Sequence, residues 1–462
     1  MNHESAVNKK TEDVDTESVE GIEDSPLSID YWGALTILGE VDRFDELSEK
    51  IHESLKEENP NMVSAILERT CFLKCTHCLY KKDHKTSKSD SENSDLTEVI
   101  ANMMKQMPDK EDSPQDTDPM FLHEGRILQP WHFDVFEKIR AERSDAKIGL
   151  IDAGIYTKHI DLFKEKDIKL DWLDISIDGT EESHNTQRDP EVRKAFEIAL
   201  NGLSHAREVT KSHDDGGRVT SLMTLTNINN ADIAEVADLV FSENRTESAY
   251  DSDNDAYQNY VDELHITTMS PALPENVPLE ISYEEMKVAW EQIREASEKH
   301  MNEDKNNIFL KIYRTEDLEK LASAVGEKKF YDAITNETVD PESDRYDEAI
   351  ESGIGIIKFY IDGIPIQYYP SSTWPTETIH VDADSVYRAP HCQQWSLEEL
   401  NAGRSVSGDD ISKYSFQELT SKSSYLDAYQ DTVDKYWEDF GKNYLLKEVE
   451  SFRRIREKSF LV

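Results

Sequence analysis

Six times in succession along this chain, a short apolar run is followed by a stretch with the residue spacing of an amphipathic helix. The apolar runs have the length of buried strands, and the stretches between them have the length of helices. The six predicted strands cover residues 62–67, 119–122, 147–151, 172–177, 219–225 and 262–268. The predicted helices lie near residues 96–107, 131–141, 159–164, 192–209, 231–241 and 283–300. This alternation predicts an α/β fold, a partial (β/α)6 barrel of the TIM type whose parallel strands end on one rim.

The segments on either side of the alternation differ from it in composition. Residues 1–27 are rich in Glu, Asp, Ser and Asn and are predicted to be a disordered acidic tail. The barrel is then expected within residues 28–300. Residues 301–462 are expected to form an α+β extension that caps the rim and selects the substrate. Within it, residues 301–350 and 425–458 have helical patterns, and Asp362-Gly363 between two apolar runs predicts a β-hairpin.

The charge of the chain restricts its partners. There are 96 acidic and 51 basic residues among 462, which gives a formal net charge of −45. Such an anionic surface argues against nucleic acid or an anionic membrane as a partner. No run approaches the roughly 18 apolar residues of a membrane-spanning helix, and the amino-terminal residues lack an apolar signal core. Because four cysteines, three of them clustered, do not make a disulfide framework, a reducing, cytoplasmic location is expected.

Three of the four cysteines, Cys71, Cys75 and Cys78, lie within eight residues, directly after the first predicted strand. Clustered thiolates select a soft metal or an iron–sulfur cluster. Three thiolates can hold three irons of a 4Fe–4S cube and leave the fourth iron open, which suits catalysis better than a closed structural site. Two alternatives remain open at this point. The cysteines could bind structural zinc, with a fourth ligand from His77, His84 or Cys392, in a non-catalytic binding or scaffold protein, or they could be unrelated core residues.

The spacing Cys-x3-Cys-x2-Cys after a strand resembles the signature of the radical S-adenosylmethionine (radical SAM) enzymes, and the resemblance extends over about residues 62–300. It implies a single 4Fe–4S cluster on Cys71, Cys75 and Cys78, with S-adenosylmethionine at the open iron. It further implies reductive cleavage to a 5′-deoxyadenosyl radical, which abstracts hydrogen from the substrate. His77 stands where most members carry an aromatic residue, and its ring is expected near the adenine. An electron donor such as flavodoxin or ferredoxin is implied, and a peptide or small-molecule substrate is expected.

Two later strand ends carry further parts of the resemblance. After the second strand, Glu124 and Gly125 stand near the place of the family's Gly-Gly-Glu-Pro motif, which implies contacts to the methionyl amino group. After the fourth strand, Ser176-Ile177-Asp178-Gly179 resembles the family's Ser-x-Asp-Gly turn, followed by Arg188. The resemblance implies that Ser176 contacts the ribose and Arg188 the methionyl carboxylate, a pairing that suits a forked guanidinium. Asp178 is interpreted as ordinary turn chemistry, and Asn229 or Asn230 as a helix cap.

Overall fold

The structure is a computed structural model in which the strands predicted from sequence lie side by side. It describes residues 44–45, 48–49, 52, 62–67, 73–78, 90–110, 118–124, 128–189, 194–210, 217–241, 250–251, 256–257, 261–269, 271, 275–301, 307–336, 357–369, 378–382, 385–387, 434 and 437–460. The predicted acidic tail, residues 1–27, lies outside these ranges, so its disorder stays a prediction.

The described residues form thirteen strands, and eleven of these strands make one sheet. The strands are β1 Met62–Ile66, β2 Met120–Glu124, β3 Lys147–Asp152, β4 Trp172–Ser176, β5 Arg218–Leu225, β6 Tyr250–Asp251, β7 Ala256–Tyr257, β8 Glu263–Thr268, β9 Asn307–Ile312, β10 Ile357–Ile361, β11 Ile364–Tyr368, β12 Thr378–Asp382 and β13 Ser385–Tyr387. Their order is β10-β11-β9-β8-β5-β4-β3-β2-β1-β12-β13, and β6 and β7 pair separately. All neighbours in the large sheet are parallel except β10–β11 and β12–β13. The six predicted strands are therefore adjacent and parallel in chain order, which confirms the fold class.

Helices lie between most of these strands. They are α1 Asp90–Gln106, α2 His132–Glu142, α3 Thr157–Glu165, α4 Glu181–Arg188, α5 Ala195–Thr210, α6 Ile233–Val240, α7 Tyr283–His300, α8 Thr315–Val325, α9 Glu327–Asn336 and α10 Lys442–Ser459. Six of them, α1, α2, α3, α5, α6 and α7, match the predicted helices. The short α4 was not predicted, because its sequence is polar throughout and has no apolar period.

The two faces of the sheet differ in chemistry. Side chains alternate along a strand, and one set, such as Leu173, Leu264 and Leu310, is fully buried in the apolar core that the sheet shares with the helices. The other set forms what we call the inner face, which carries Glu124, Asp174, Ser176, His265 and Lys311 in the same strands. A polar face inside a parallel sheet is unusual, because both faces of such sheets are normally covered by apolar packing.

The sheet does not close on itself. Among the described strands, β10 and β13 each have a single neighbour and form its two edges. The parallel strands between these edges therefore make an open, partial barrel rather than a closed one.

Residues beyond 300 extend the sheet, and one expectation for them was incomplete. Residues 301–350 were predicted to be helical, but β9 precedes α8 and α9 and pairs in parallel with β8. Strand β9 has only six residues, so its alternation of apolar and polar side chains is too short to be recognised next to the two acidic helices that follow it. The predicted hairpin is confirmed: β10 and β11 flank Asp362 and Gly363, both at positive φ (56° and 77°), as the tight turn between twisted strands requires.

Candidate functional site

The cysteine motif follows β1 at the rim of the barrel. Of its three cysteines, Cys75 and Cys78 lie in the described turn, while Cys71 lies outside the described residues. The Cys78 amide donates to the Cys75 carbonyl over 3.3 Å, and Cys75 is buried. Both thiols are free of disulfides. The turn thus presents two thiols of the motif in a reduced, ligand-competent form at the carboxyl end of a strand.

Hydrogen bonds hold the cysteine turn on two sides. The Thr76 amide and hydroxyl both donate to the Gln187 carbonyl, over 2.6 and 3.2 Å. On the other side, the buried Asn276 amide donates to the His77 carbonyl over 3.2 Å. Gln187 belongs to α4, and Asn276 precedes α7. The turn is therefore positioned by two elements distant in sequence, which makes its geometry a property of the folded barrel.

Asp178 lies at the centre of the contacts between the turn and α4. One of its carboxylate oxygens, Oδ2, accepts from Arg188 Nε over 2.5 Å and lies 3.5 Å from His77 Nε2. The other, Oδ1, accepts from the Thr224 amide at 2.7 Å. The Asp178 amide in turn donates to His184 Nδ1 over 3.0 Å. This fully buried residue therefore ties together the cysteine turn, α4 and β5.

Electrostatics keep Asp178 ionised. Burial by itself would raise the pKa of Asp178, but Arg188 and then His77 and His184 outweigh it and lower the pKa to about 2. Burial by itself would likewise lower the pKa of Arg188, but Asp178 and then the thiols of Cys75 and Cys78 raise it. Arg188 is therefore a permanent cation that pairs with Asp178, and the charges of the two cysteines also act on it.

The backbone at Asp178 permits this arrangement only because a glycine follows. Gly179 has φ +133°, and a Cβ there would lie 2.1 Å from Ser183 Oγ. The chain then enters α4, whose first turn carries Glu181 and Glu182, the charge that suits a helix N-terminus. Although α4 is polar, Ser183, His184, Asn185 and Gln187 are buried, so hydrogen bonds rather than apolar packing hold it.

Two buried side-chain amides, those of Gln187 and Asn229, support the Asp178 turn. The Asp178 carbonyl accepts from Gln187 Nε2 over 2.9 Å and from Asn229 Nδ2 over 2.8 Å. Thr226 Oγ1 donates to Gln187 Oε1 over 2.8 Å, and Asn229 Oδ1 accepts from the Thr226 amide over 2.8 Å. The interpretation of Asn229 as a helix cap is wrong: α6 begins after Asp232, and Asn229 is fully buried in this network.

The remaining predicted site residues lie on the inner face. Glu124 ends β2, and its Oε1 accepts from Ser64 Oγ on β1 over 2.6 Å. Ser176 ends β4, is buried and precedes Asp178 by two residues. Gly125 lies outside the described residues. The structure thus brings Cys75, Cys78, His77 and Arg188 into one group and puts Glu124 and Ser176 on the same face of the sheet.

The described part of the cysteine motif fits an iron–sulfur cluster site. Cysteine thiolates are the ligands of iron–sulfur clusters, and the turn supplies two of them, from Cys75 and Cys78. Among the described residues, no group of three or more His, Cys, Asp and Glu side chains is arranged to hold a metal ion. Cys71, the third cysteine of the motif, lies outside the described residues, and His77 Nε2 lies 3.5 Å from Asp178 Oδ2.

Several residues of this site were missed by sequence reasoning. Asp178 was interpreted as turn chemistry, and no role was predicted for Gln187 or Asn276. A signal for Asp178 was present in principle, since Arg188 follows it by ten residues and the buried carboxylate needs a cation. Gln187 and Asn276 carry no such signal, because their partners are main-chain groups brought near only by the fold.

Comparison with known proteins gives distant likenesses. No protein-family model matches the chain, and no curated protein matches it. Similar solved structures include Streptococcus suis SuiB bound to precursor peptide SuiA, with 11% identity, a TM-score of 0.46, and coverage of 83% of this chain and 66% of that chain. SuiB bound to S-adenosylmethionine matches with 10% identity, a TM-score of 0.42, and coverage of 76% and 66%.

A third solved structure is the FeFe-hydrogenase maturase HydG from Carboxydothermus hydrogenoformans, with 13% identity, a TM-score of 0.36, and coverage of 60% of this chain and 62% of that chain. The chain spans between 59% and 66% of the length of the SuiB structures it matches. Likenesses at this level assign no activity to the chain. Within the described residues, no helix is long and apolar enough to cross a membrane.

Proposed function

We propose that this chain is a radical SAM enzyme that binds one 4Fe–4S cluster through Cys71, Cys75 and Cys78 and uses it to cleave S-adenosylmethionine. One observation carries the proposal. The turn that holds Cys75 and Cys78 is hydrogen-bonded through Thr76 to Gln187 of α4, and Arg188 at the end of that helix pairs with the buried Asp178. The pKa of Arg188 is raised by Asp178 first and then by both thiols. A guanidinium fixed next to a thiolate cluster is placed to bind an anionic group of a molecule at the open iron.

A cluster held by Cys71, Cys75 and Cys78 would supply the electron for reductive cleavage of S-adenosylmethionine to methionine and a hydrogen-abstracting 5′-deoxyadenosyl radical. The residues of this chain would bind and orient the molecule. Arg188 uses its Nε for Asp178, so the proposed contact to the methionyl carboxylate falls to its terminal nitrogens. Glu124 would accept from the methionyl ammonium, Ser176 would hydrogen-bond the ribose, and the His77 ring and Gly125 would contact the cofactor.

The partners and regions proposed from the sequence complete the hypothesis. A peptide or a small molecule would be the hydrogen donor, and flavodoxin or ferredoxin would supply the electron. The barrel would occupy residues 28–300, and residues 301–462 would form the part that selects the substrate. The anionic surface supports a substrate other than nucleic acid, since phosphates would be repelled.

Anaerobic reconstitution of the full chain with iron and sulfide tests the proposal. We expect a brown protein that forms 5′-deoxyadenosine when it is given S-adenosylmethionine and a reductant. Each of Cys71→Ala, Cys75→Ala and Cys78→Ala should lose both iron and product, because removing one thiolate of three unseats the cube. Cys392→Ala is the matched control and should retain both. A colourless protein that binds zinc through the same cysteines would reject the proposal in favour of a zinc-stabilised binding protein.

A further inference from the structure

We propose that a groove between helices α5 and α6 is a docking site for a cationic amphipathic helix of a partner protein. The groove lies on the side of the sheet that the helices cover, and its volume is about 980 Å³. Side chains of both helices line it, together with Thr180 and Glu181 at the start of α4. The inference concerns this surface alone and does not depend on the chemistry proposed for the cysteine turn.

The groove interrupts the layer of helices on the sheet. Helix α5 packs against α3 on one side, and α6 packs against α7 on the other. Between α5 and α6, the described residues leave the groove open. A helix that lay in this space would continue the layer, with a helical neighbour on each side.

The walls of the groove are partly apolar. Val236 and Leu239 of α6 are buried, whereas Phe196 and Leu200 of α5 are only partly covered. Ile198 of α5 is 36% exposed. Apolar side chains that are open to water in a groove are the surface that the apolar face of an amphipathic helix covers.

The charged side chains of the groove are mostly acidic. The described residues that line it include four acidic side chains and one basic one, namely Glu181, Glu197, Glu235 and Asp238, and Lys194. The whole chain has 96 acidic and 51 basic residues, about two to one. The groove is therefore more anionic than the average of a chain that is itself anionic.

Three of these carboxylates are open to a partner. Asp238 already pairs with Lys299 of α7. Glu197 on α5 and Glu235 on α6 are exposed on opposite walls, and Glu181 is exposed at the start of α4. In the described part of the chain, none of these three glutamates forms an ion pair. Lysine or arginine side chains on the flanks of a docked helix would pair with both walls, whereas an acidic helix would be repelled.

The position and the charge of the groove restrict the occupant further. A second copy of this chain would bring another formal net charge of −45 to an acidic groove, so a partner of opposite charge is favoured. The occupant would lie beside the start of α4. That helix has eight residues, which is about 12 Å of length, and ends with Gln187 and Arg188 at the cysteine turn. A partner docked here would be close to the candidate site without entering the inner face.

Fluorescence anisotropy of the full chain with labelled peptides tests the docking site. The first probe is an amidated peptide of leucine and lysine, of about 14 residues or roughly four helical turns, with the leucines spaced along one face. The second probe has glutamate in place of every lysine. The titrations are run near 0.15 M salt, where a Debye length of about 8 Å limits attraction by distant charges. We expect the lysine peptide to bind and the glutamate peptide not to bind.

Two variants locate the binding. Glu197→Lys combined with Glu235→Lys should weaken binding of the lysine peptide by roughly tenfold, because two attractive contacts become repulsive. Ile198→Ser should weaken it by roughly threefold to tenfold, because part of the apolar contact is lost. The matched control combines Glu291→Lys with Glu295→Lys, which alters two exposed carboxylates of α7 and changes the net charge equally. This control should leave the affinity unchanged, and circular dichroism checks that each variant is folded.

Three results would overturn the docking site. Equal weakening in the control variant would show that the net charge of the chain, and not the groove, attracts the peptide. Binding of both peptides, or of neither, would remove the selection by charge. A dimer of the unaltered chain that dissociates in Ile198→Ser would assign the groove to a second copy instead of a cationic partner.

Discussion

At the scale of single residues, Asp178 has the greatest influence on the candidate site. It is fully buried, yet its carboxylate is ionised because Arg188 and the Thr224 amide lie against it. The sequence made a turn at Asp178-Gly179 evident, and Gly179 does supply the positive φ. It could not show that the Asp178 side chain points inward to Arg188, since that depends on how α4 packs back onto β4.

Asp178→Asn should destabilise the fold and the cysteine turn together. The substitution keeps the shape but leaves the buried Arg188 charge without its counter-ion, a loss of about 3–5 kcal/mol in the free energy of unfolding. We expect lower iron loading at equal protein concentration, measured beside urea unfolding. Asp161→Asn, which alters a partly exposed pair with His205, is the control and should change neither quantity noticeably. Full iron loading and unchanged unfolding in Asp178→Asn would contradict the role given to this carboxylate.

Arg188→Ala should weaken S-adenosylmethionine binding by roughly tenfold to hundredfold, because the bidentate, charge-assisted contact proposed for its terminal nitrogens would be lost. Arg188→Lys should recover only part of the affinity, since an ammonium group cannot form a forked contact. Affinity is measured by equilibrium dialysis on protein shown to be folded by circular dichroism, because Arg188 also neutralises Asp178. Equal affinities in the unaltered chain and both variants would show that a residue other than Arg188 contacts the methionyl carboxylate.

At the scale of secondary structure, the elements that bury apolar side chains were predictable and those held by polar contacts were not. The six strands and their helices follow from hydrophobic periodicity, which records burial directly. Helix α4 has no such period, because its buried residues are Ser183, His184, Asn185 and Gln187. The candidate site divides in the same way: the cysteines and Arg188 were evident from spacing, but Gln187 and Asn276 act through main-chain partners.

The contact between β2 and α2 contains two buried histidines. The rings of His123 and His132 lie 4.7 Å apart, and within the described residues neither nitrogen of His123 has a hydrogen-bond partner. Burial lowers the pKa of His123 from an ordinary 6.5 to about 4, and that of His132 well below 6.5. As pH falls, the unfolded chain therefore takes up protons before the folded one does. The neutral His123 ring therefore contributes fully to the free energy of unfolding above pH 6.5, and this contribution is lost as pH falls towards about 4.

His123→Leu should reduce this sensitivity to acid. Removing one buried imidazole should make the free energy of unfolding between pH 6.5 and pH 4 fall by about 3 kcal/mol less than in the unaltered chain. Urea unfolding of the cluster-free protein at several pH values measures it. His205→Leu removes a partly exposed ring on α5 and serves as the control. A pH dependence unchanged in His123→Leu would show that the folded and unfolded chains bind a proton at this ring equally well.

At the scale of the whole molecule, the net charge of −45 sets the response to salt. Repulsion among the carboxylates destabilises the folded chain in dilute buffer and is screened as ionic strength rises. A chain that lacks residues 1–27 should retain the proposed cluster. It should also melt at a higher temperature in molar potassium chloride than in dilute buffer. It should show no binding to RNA near physiological salt. A melting temperature that stays flat or falls with salt would contradict the repulsion argument, and saturable RNA binding would return nucleic acid to the possible substrates.

The pairing of β12 with β1 has a consequence for how the protein is made. Met62 in β1 lies opposite Thr378 in β12, so one edge of β1 is completed only about 300 residues after β1 itself is synthesised. At ordinary translation rates that interval is on the order of half a minute. Until it ends, the strand that leads into the cysteine turn has an open edge, of the kind that recruits other chains. Nascent chains that have not yet reached residue 378 are therefore expected to aggregate more readily than the completed chain.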